Sequence, residues 1–234
     1  MKKALFFLFF IFLLGCASTR KVDFKTSVDH IVFAGPELKN LEDAFKDLSG
    51  VKPTPGGQHL ELGTHNSLVS LGDDSYLELI AADPKNTKIK KEEIMLGIGT
   101  IREGKTLSWA VKVSNLEKLH ETLAQAKYSV SPIRNGSRIN GDKELKWRYF
   151  FLTDPAFTVS PMIAPFFIEW NSTSEHPSKS AVSGCRLLSL KAKHPNPDQF
   201  EPIFRILGFP FQIFEGGAEL TSSYKCGANF FTLH

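Results

Sequence analysis

Two histidines and two glutamates lie within apolar, strand-like segments of the sequence. His30 lies in VDHIVFAGPEL, His59 in GGQHLELGT, Glu78 in SYLELIA and Glu169 in PFFIEW. Imidazole nitrogens and carboxylate oxygens can bind a divalent metal ion or exchange protons with a substrate. Because burying an unpaired carboxylate costs several kcal/mol, the two glutamates indicate a polar floor in an otherwise apolar cleft.

Alternation with a period of two assigns these side chains to faces of predicted strands. His30 shares a face with its neighbouring valines, and Asp29 is placed on the opposite face. Glu78 shares a face with Tyr76, and Phe167 shares a face with Glu169. The pattern therefore predicts that each glutamate lies on a defined side of a sheet.

The chain contains a repeated unit of strand, helix and further strands. Residues 30–57 and 109–136 are both 28 residues long, and each runs from an apolar strand through a helix-period segment to a glycine turn. A third copy begins at residue 187, so the copies start 79 and then 78 residues apart. We predict an α+β fold with two βαβββ modules and a shortened third βαββ unit.

The repeats resemble the vicinal-oxygen-chelate superfamily, which includes glyoxalase I, extradiol dioxygenases and bleomycin-binding proteins. More narrowly, VDHIVFAGPEL, GVKPTPGGQHLELGTHNSLVSLG, SYLELIAADP and PFFIEWNSTSEHPS are similar to the glyoxalase-like domain proteins. The resemblance implies that the two modules pair into a half-open sheet cup. It also implies metal ligands on the first and fourth strands of each module, at the positions of His30, Glu78 and Glu169, with Trp109 replacing a second first-strand ligand.

The implied cofactor is a divalent metal ion, Mn, Fe, Ni or Zn. His30 with Glu78 and Glu169 gives one histidine and two carboxylates, a set suited to Mn²⁺ or Fe²⁺ and poor for Zn²⁺. If His59 ends the second strand on the cup face, His30, His59 and Glu78 form a two-histidine, one-carboxylate triad. A glutamate that does not bind the metal, Glu169 or Glu78, is then the expected catalytic base.

Five further residues are candidates for contacts with a substrate. Trp109 cannot bind a metal and is expected to form an aromatic wall. The second aromatic contact is either Phe167, beside Glu169, or Phe166. Arg148 either orients a substrate carboxylate or pairs with Glu169.

The remaining two, His65 and Asn66, follow Gly63 and are either turn or pocket residues. His176, in the linker segment SEHPS, is interpreted as a solvated loop residue, with a residue that covers the cleft as the alternative. The two glycines of GGQHLELGT, Gly56 and Gly57, are interpreted as turn glycines of the repeat.

The N-terminus predicts a lipid anchor. MKK is followed by the apolar run ALFFLFFIFLL, too short to span a membrane, and then by Leu-Gly-Cys16, which resembles a bacterial lipoprotein signal. Acylated Cys16 would hold the protein on the cell envelope, facing the periplasm from the outer membrane in a Gram-negative bacterium. The predicted segments are a signal peptide (residues 1–15), a tether (16–26), the paired modules (27–172), a linker (173–183) and a C-terminal unit (184–234).

Charge and cysteine content exclude some functions. Without residues 1–15 the chain has 26 basic and 25 acidic residues, a formal charge of +1, because Lys2 and Lys3 leave with the signal. A nearly neutral domain offers no basic surface for nucleic acid. Cys185 and Cys226 lack neighbouring histidines, which favours a disulfide or two buried side chains over a zinc site.

Two functions follow, with a small molecule as the partner in both. The first is a metal-dependent lyase, isomerase or dioxygenase acting on a substrate chelated through adjacent oxygens. The second is a metal-free binding protein that uses the same cleft, and the tryptophan at a ligand position favours it. A third possibility is an envelope-tethered scaffold, but no feature of the sequence supports it. The sequence does not indicate an oligomeric state.

Overall fold

The computed structural model describes residues 24–72, 74–140, 143–158 and 161–234. Cys16 and the predicted signal peptide lie outside the described residues, as does most of the predicted tether. Across the four described ranges, no helix is long and apolar enough to cross a membrane.

The first module follows the predicted order of strand, helix and three strands. Its elements are β1 (Thr26–Ala34), α1 (Leu38–Ser49), β2 (Thr54–His59), β3 (Thr64–Gly72) and β4 (Ser75–Ala82). Helix α1 buries Leu41 and Phe45, which recur at helical spacing. It ends at Gly50, whose φ of 73° is left-handed and whose N–H donates to the carbonyl of Lys46.

The second module repeats this order. Its elements are β5 (Lys105–Val113), α2 (Leu116–Gln125), β6 (Arg134–Asn140), β7 (Lys143–Phe150) and β8 (Phe166–Trp170). Helix α2 begins after Asn115, whose side chain accepts a hydrogen bond from the backbone N–H of Lys118 at 3.0 Å. The helix buries three leucines at helical spacing, Leu116, Leu119 and Leu123.

The eight strands of the two modules close into a barrel with the order β1-β4-β3-β2-β6-β7-β8-β5. The predicted mixed α+β fold is confirmed, although the sheet closes where a half-open cup was expected. Strands β1 and β5 join the modules along one side through eight residue pairs. On the opposite side β2 meets β6, and the described residues form one pair there, Gln58 with Ile139. This junction is called the seam.

The C-terminal unit forms a separate sheet with the order β10-β9-β11-β12. Its elements are β9 (Cys185–His194), α3 (Glu201–Leu207), β10 (Gln212–Glu215), β11 (Glu219–Cys226) and β12 (Asn229–Leu233). The prediction of a shortened βαββ unit is wrong by one strand, because the short β10 pairs in parallel with β9. A disulfide joins Cys185 to Cys226 between β9 and β11.

The barrel wall separates two apolar clusters. Outward-facing side chains such as Ile31, Leu77 and Val111 pack with the helices and the C-terminal unit. Inward-facing Val32 and Ile80 pack with a 3₁₀ segment, Met95–Thr100. The direction in which each strand residue points therefore decides whether it belongs to the core or to the barrel interior.

Candidate functional site

A cavity lies inside the barrel. The volume open to the centre of a water molecule is about 80 Å³. This is enough for several waters or one small organic molecule. Met95, Leu96 and Ile98 of the 3₁₀ segment line it along with strand residues. Its aromatic lining consists of six side chains, Tyr76, Trp147, Tyr149, Phe151, Phe166 and Trp170.

A wider groove adjoins this cavity on the outside of the barrel. The groove has a volume of about 1090 Å³ and carries charged side chains of both signs. Leu62, Trp147, Tyr149 and Trp170 line both the groove and the cavity. These four side chains therefore form the connection between the cavity and the surface.

A β-bulge changes the direction of Asp29. Val28 pairs with Val111 and His30 pairs with the adjacent Ala110, so that Asp29 is the extra residue of β1. Such a bulge breaks the alternation of the strand and re-aims a side chain. The prediction that Asp29 and His30 point to opposite sides is therefore wrong, because both side chains meet at the barrel interior.

The carboxylate of Asp29 is the centre of a buried hydrogen-bonded group. It lies 2.6 Å from His30 Nδ1, accepts from Trp170 Nε1 at 2.9 Å and lies 3.1 Å from His176 Nε2. His176 Nδ1 accepts from the backbone N–H of Ser178, which leaves Nε2 as the nitrogen that donates to Asp29. The linker histidine interpreted as solvated thus contributes to the site.

Asp29 remains ionised although it is fully buried. Burial alone raises the pKa of its carboxyl, but the hydrogen bonds from His176 and His30 outweigh burial and hold this pKa well below its usual range. An ionised acceptor fixes a proton on His30 Nδ1. The other nitrogen of His30, Nε2, is therefore the one presented to the cavity.

His30 lies between aromatic rings and a second carboxylate. Its ring stacks on Tyr76 with centroids 4.6 Å apart and meets the edge of Phe166 at 5.3 Å. Its Nε2 lies 3.7 Å from Glu78 Oε2. Burial raises the pKa of Tyr76 well above 10, so the phenol next to His30 stays neutral.

A second polar group centres on Asn66. Its Nδ2 donates to Glu78 Oε1 at 2.5 Å, and its Oδ1 accepts from Arg138 Nη1 at 3.0 Å. His59 Nε2 lies 3.4 Å from the same Nδ2, and its Nδ1 lies 2.9 Å from Thr64 Oγ1. Burial lowers the pKa of His59 to about 4, although the charge of Glu78 acts in the opposite direction. His59 is consequently neutral at physiological pH.

Gly56 provides the space in which this group assembles. A β-carbon at Gly56 would lie 2.1 Å from Asn66 Oδ1 and 2.5 Å from Arg138 Nη1, closer than side chains can pack. Gly56 is also the extra residue of a bulge in β2, between the paired positions Pro55 and Gly57. The interpretation of Gly56 and Gly57 as turn glycines is wrong, since both lie within a strand.

A sequence model of the glyoxalase-like domain matches residues 28–207, from β1 to the end of α3. The chain belongs to the glyoxalase-like domain family. No curated protein sequence matches this glyoxalase-like protein significantly.

Three solved structures are similar to this chain at low sequence identity. A hypothetical protein from Staphylococcus aureus is 17% identical, with a TM-score of 0.63 over 88% of this chain and 85% of that one. Methylmalonyl-CoA epimerase from Mycobacterium tuberculosis is 15% identical, with a TM-score of 0.41 over 61% of this chain and 85% of that one. A hypothetical protein from Bacillus halodurans is 14% identical, with a TM-score of 0.41 over 64% and 96%.

The residues of this glyoxalase-like barrel do not fit the predicted metal triad. His30 and Glu78 face each other, but Asn66 lies between Glu78 and His59 and hydrogen-bonds to the glutamate. The guanidinium of Arg138 adds a positive charge beside the same amide. Among the described residues, no group of three or more His, Cys, Asp or Glu side chains is arranged to hold a metal ion.

The two aromatic residues predicted to contact a substrate lie outside the cavity. The register pairs His30 with Ala110 and Ile31 with Trp109, so Trp109 points outward with Ile31. Phe167 also points outward, and its ring packs on Phe150 with centroids 4.8 Å apart. The predictions for Trp109 and Phe167 are wrong, whereas the alternative, Phe166, lines the cavity.

Glu169, predicted as a catalytic base, lies on the outer face of β8. It forms an ion pair with Arg148, which also pairs with Glu117. A Glu169 oxygen lies 3.3 Å from the backbone N–H of Leu116, at the positive end of α2. Glu169 lines the outer groove and not the cavity, so its predicted position inside the cup is wrong, whereas the alternative that Arg148 pairs with Glu169 agrees with the structure.

The other predicted residues divide by the face of β3 on which they lie. Asn66 lines the cavity, whereas His65 points outward and does not. The barrel thus brings together four predicted residues, His30, His59, Asn66 and Glu78. Sequence reasoning missed Arg138, although RNGSRIN before KELKW carries the alternation of a hairpin strand and this signal could have identified it.

Proposed function

We propose that this protein binds a small organic molecule inside the barrel and that no resident metal ion takes part in binding. The proposal rests on one observation, a cavity inside the barrel that has aromatic walls and into which buried polar side chains converge. Such a combination is typical of small-molecule sites, where apolar walls supply affinity and a few polar groups fix orientation. The polar groups here are contributed by His30, Asn66, Glu78 and Arg138.

The proposed site selects a flat molecule with a polar end. Tyr76 and Phe166 are positioned about His30, and aromatic rings favour stacked or edge contacts with another ring. Asn66 and Glu78 are already hydrogen-bonded to each other, so the polar floor is ordered before any ligand arrives. Benzamide is a suitable probe because it combines an aromatic ring with a small neutral polar group.

We expect benzamide to bind with the same affinity in the presence and absence of EDTA. Isothermal titration calorimetry would give the dissociation constant, and elemental analysis of the purified protein would give the metal content. We expect less than one equivalent of Mn, Fe, Ni or Zn. Stoichiometric metal that is lost on His30→Ala substitution, together with binding abolished by EDTA, would contradict the proposal.

Two variants of equal bulk locate the probe. Ile80→Phe adds a ring inside the cavity and is expected to weaken benzamide binding at least tenfold, at a stability cost of about 1–3 kcal/mol for overpacking. Ile139→Phe adds the same bulk where the side chain is exposed and is expected to leave the affinity unchanged. Equal effects of the two substitutions would place the probe elsewhere.

A second candidate function is proton transfer at His30, and the pairing of His30 with Asp29 favours it. A buried ionised carboxylate holds the imidazole in one orientation, with Nε2 directed at the cavity. Glu78 is close enough to that nitrogen to exchange a proton with it through a bound molecule. The chemistry would be abstraction of a proton next to a carbonyl group.

Phenylacetone tests this candidate because its benzylic protons are acidified by the neighbouring carbonyl. We expect the protein to accelerate their exchange with deuterium oxide, followed by NMR, and His30→Gln to slow exchange about 10²- to 10⁴-fold. His120→Gln, a substitution on α2 outside the cavity, is the matched control and should retain the rate. Exchange no faster than in buffer would exclude this second candidate while leaving benzamide binding unaffected.

A further inference from the structure

Arg138 is a buried cation with an unused donor. Its side chain lines the cavity, and only 4% of the residue is exposed. Nη1 donates to Asn66 Oδ1 at 3.0 Å, whereas Nη2 is buried and has no hydrogen-bond partner in the described part of the chain. A guanidinium is always charged in proteins, so this nitrogen presents a charged donor to the cavity.

The described residues supply no direct counter-ion to this charge. Among the described residues no carboxylate forms an ion pair with Arg138, and Glu78 reaches it only through the Asn66 amide. Burying a charge without a partner is costly, and leaving one of its donors unsatisfied adds to that cost. An anionic group on a bound molecule would remove both penalties.

We propose that Arg138 binds the carboxylate of a small carboxylic acid with a flat apolar body. This inference rests on the proposed function and specifies the class of molecule that the cavity takes. One carboxylate oxygen accepts from Nη2 in a charge-assisted hydrogen bond. A dianion such as a phosphate monoester is disfavoured, because the carboxyl groups of Glu78 and Asp29 already lie at the same interior.

The strand order sets the direction in which the acid lies. In the eight-stranded ring, β6 is four strands away from β1 in either direction, so Arg138 and His30 face each other across the barrel. A carboxylate held at Arg138 therefore directs the apolar body towards His30, Tyr76 and Phe166. The end of the apolar body that is farthest from the carboxylate therefore approaches His30.

Benzoate and benzamide have nearly the same size and differ in charge, so their affinities isolate the contribution of Arg138. At pH 7.5 we expect calorimetry to show benzoate binding about 10- to 100-fold more tightly than benzamide. In Arg138→Met this preference should disappear, because benzoate loses the charged donor and benzamide does not depend on that charge. Arg138→Met also removes the donor to Asn66 Oδ1, so circular dichroism should confirm that the variant is folded before its affinities are compared.

Arg134→Met is the matched control, because Arg134 lies on the same strand but is exposed in the outer groove. It removes the same formal charge and should preserve the preference for benzoate. Gly56→Ala is a second test of the carboxylate site, because the β-carbon of the alanine must displace the Arg138 guanidinium and the Asn66 amide. We expect it to reduce the preference without removing any charge.

The possible outcomes separate this inference from the proposed function. Equal affinities for benzoate and benzamide in the unmodified protein would overturn the carboxylate site and leave the binding function intact. Tighter binding of phenyl phosphate than of benzoate would overturn the choice of carboxylate. If neither benzoate nor benzamide binds, both the proposed function and the inference are refuted.

Discussion

Asp29→Asn is expected to lower the free energy of unfolding at pH 7 by about 3–5 kcal/mol, the range for breaking a buried charged group. The native carboxylate accepts from Trp170 and from two histidine nitrogens while it is fully buried. An asparagine side chain replaces one acceptor oxygen with an NH₂ donor, which must then face another donor. Urea-induced unfolding, followed by circular dichroism, measures the difference.

Asp43→Asn is the control for this substitution. Asp43 forms an i,i+4 ion pair with Lys39 on the exposed face of α1, and such surface pairs contribute little. We expect a change below about 0.5 kcal/mol. Comparable losses in the two variants would show that the hydrogen-bonded group around Asp29 does not stabilise the barrel.

The same residue predicts how stability depends on pH. The pKa of Asp29 in the folded protein lies below that of an unfolded aspartate, about 3.9. Its contribution to stability is therefore complete above about pH 5 and is lost as the pH falls through the unfolded value towards the folded one. Unfolding free energies of the unmodified protein should fall more steeply below about pH 4 than those of Asp29→Asn. Parallel profiles would contradict this assignment.

Trp109→Ala is the second substitution with a large expected effect, a loss of about 3–5 kcal/mol in the free energy of unfolding. Trp109 is fully buried, and its ring stacks on Phe211 and Phe204 with centroids 4.7 and 6.0 Å apart. Its Nε1 donates to the carbonyl of Ile163 at 2.8 Å. Alanine would leave a cavity between the barrel and the C-terminal unit and an unsatisfied buried carbonyl. Urea denaturation is again the measurement.

Trp147→Ala makes the same chemical change on the other side of the barrel wall. Trp147 is half-buried and lines the cavity and the groove. We expect a smaller loss of stability than for Trp109→Ala, together with weaker benzamide binding. If Trp109→Ala instead weakened binding without destabilising the fold, the assignment of Trp109 to the core would be wrong.

Local alternation predicted which residues share a face but not which face is the interior. The pattern correctly grouped Glu78 with Tyr76, and Phe167 with Glu169. The second pair faces outward because helix α2 covers that side of β8, and helix placement is a property of the whole fold. The error at Trp109 arose from register, since a slip of one residue reverses every side chain of a strand.

The rest of the site depends on contacts that no local pattern encodes. Asp29 reaches the interior through a bulge, and His176 reaches Asp29 from 147 residues further along the chain. Arg138 meets Asn66 across 72 residues, and that contact exists only because β2 and β6 close the barrel. The family resemblance located His30 and Glu78. The hydrogen bonds from Asn66 to Glu78 and from Arg138 to Asn66 could be recognised only in the closed barrel.

The seam at Gln58 and Ile139 has a consequence for motion. Separating β2 from β6 disrupts one residue pair, whereas separating β7 from β8 disrupts four. Local opening is easiest where few backbone contacts are broken, so we expect amide hydrogens at the seam to exchange with solvent faster than those between β7 and β8. The hydrogen bond between Arg138 and Asn66 spans this junction. The same two side chains that line the cavity therefore also hold the seam closed.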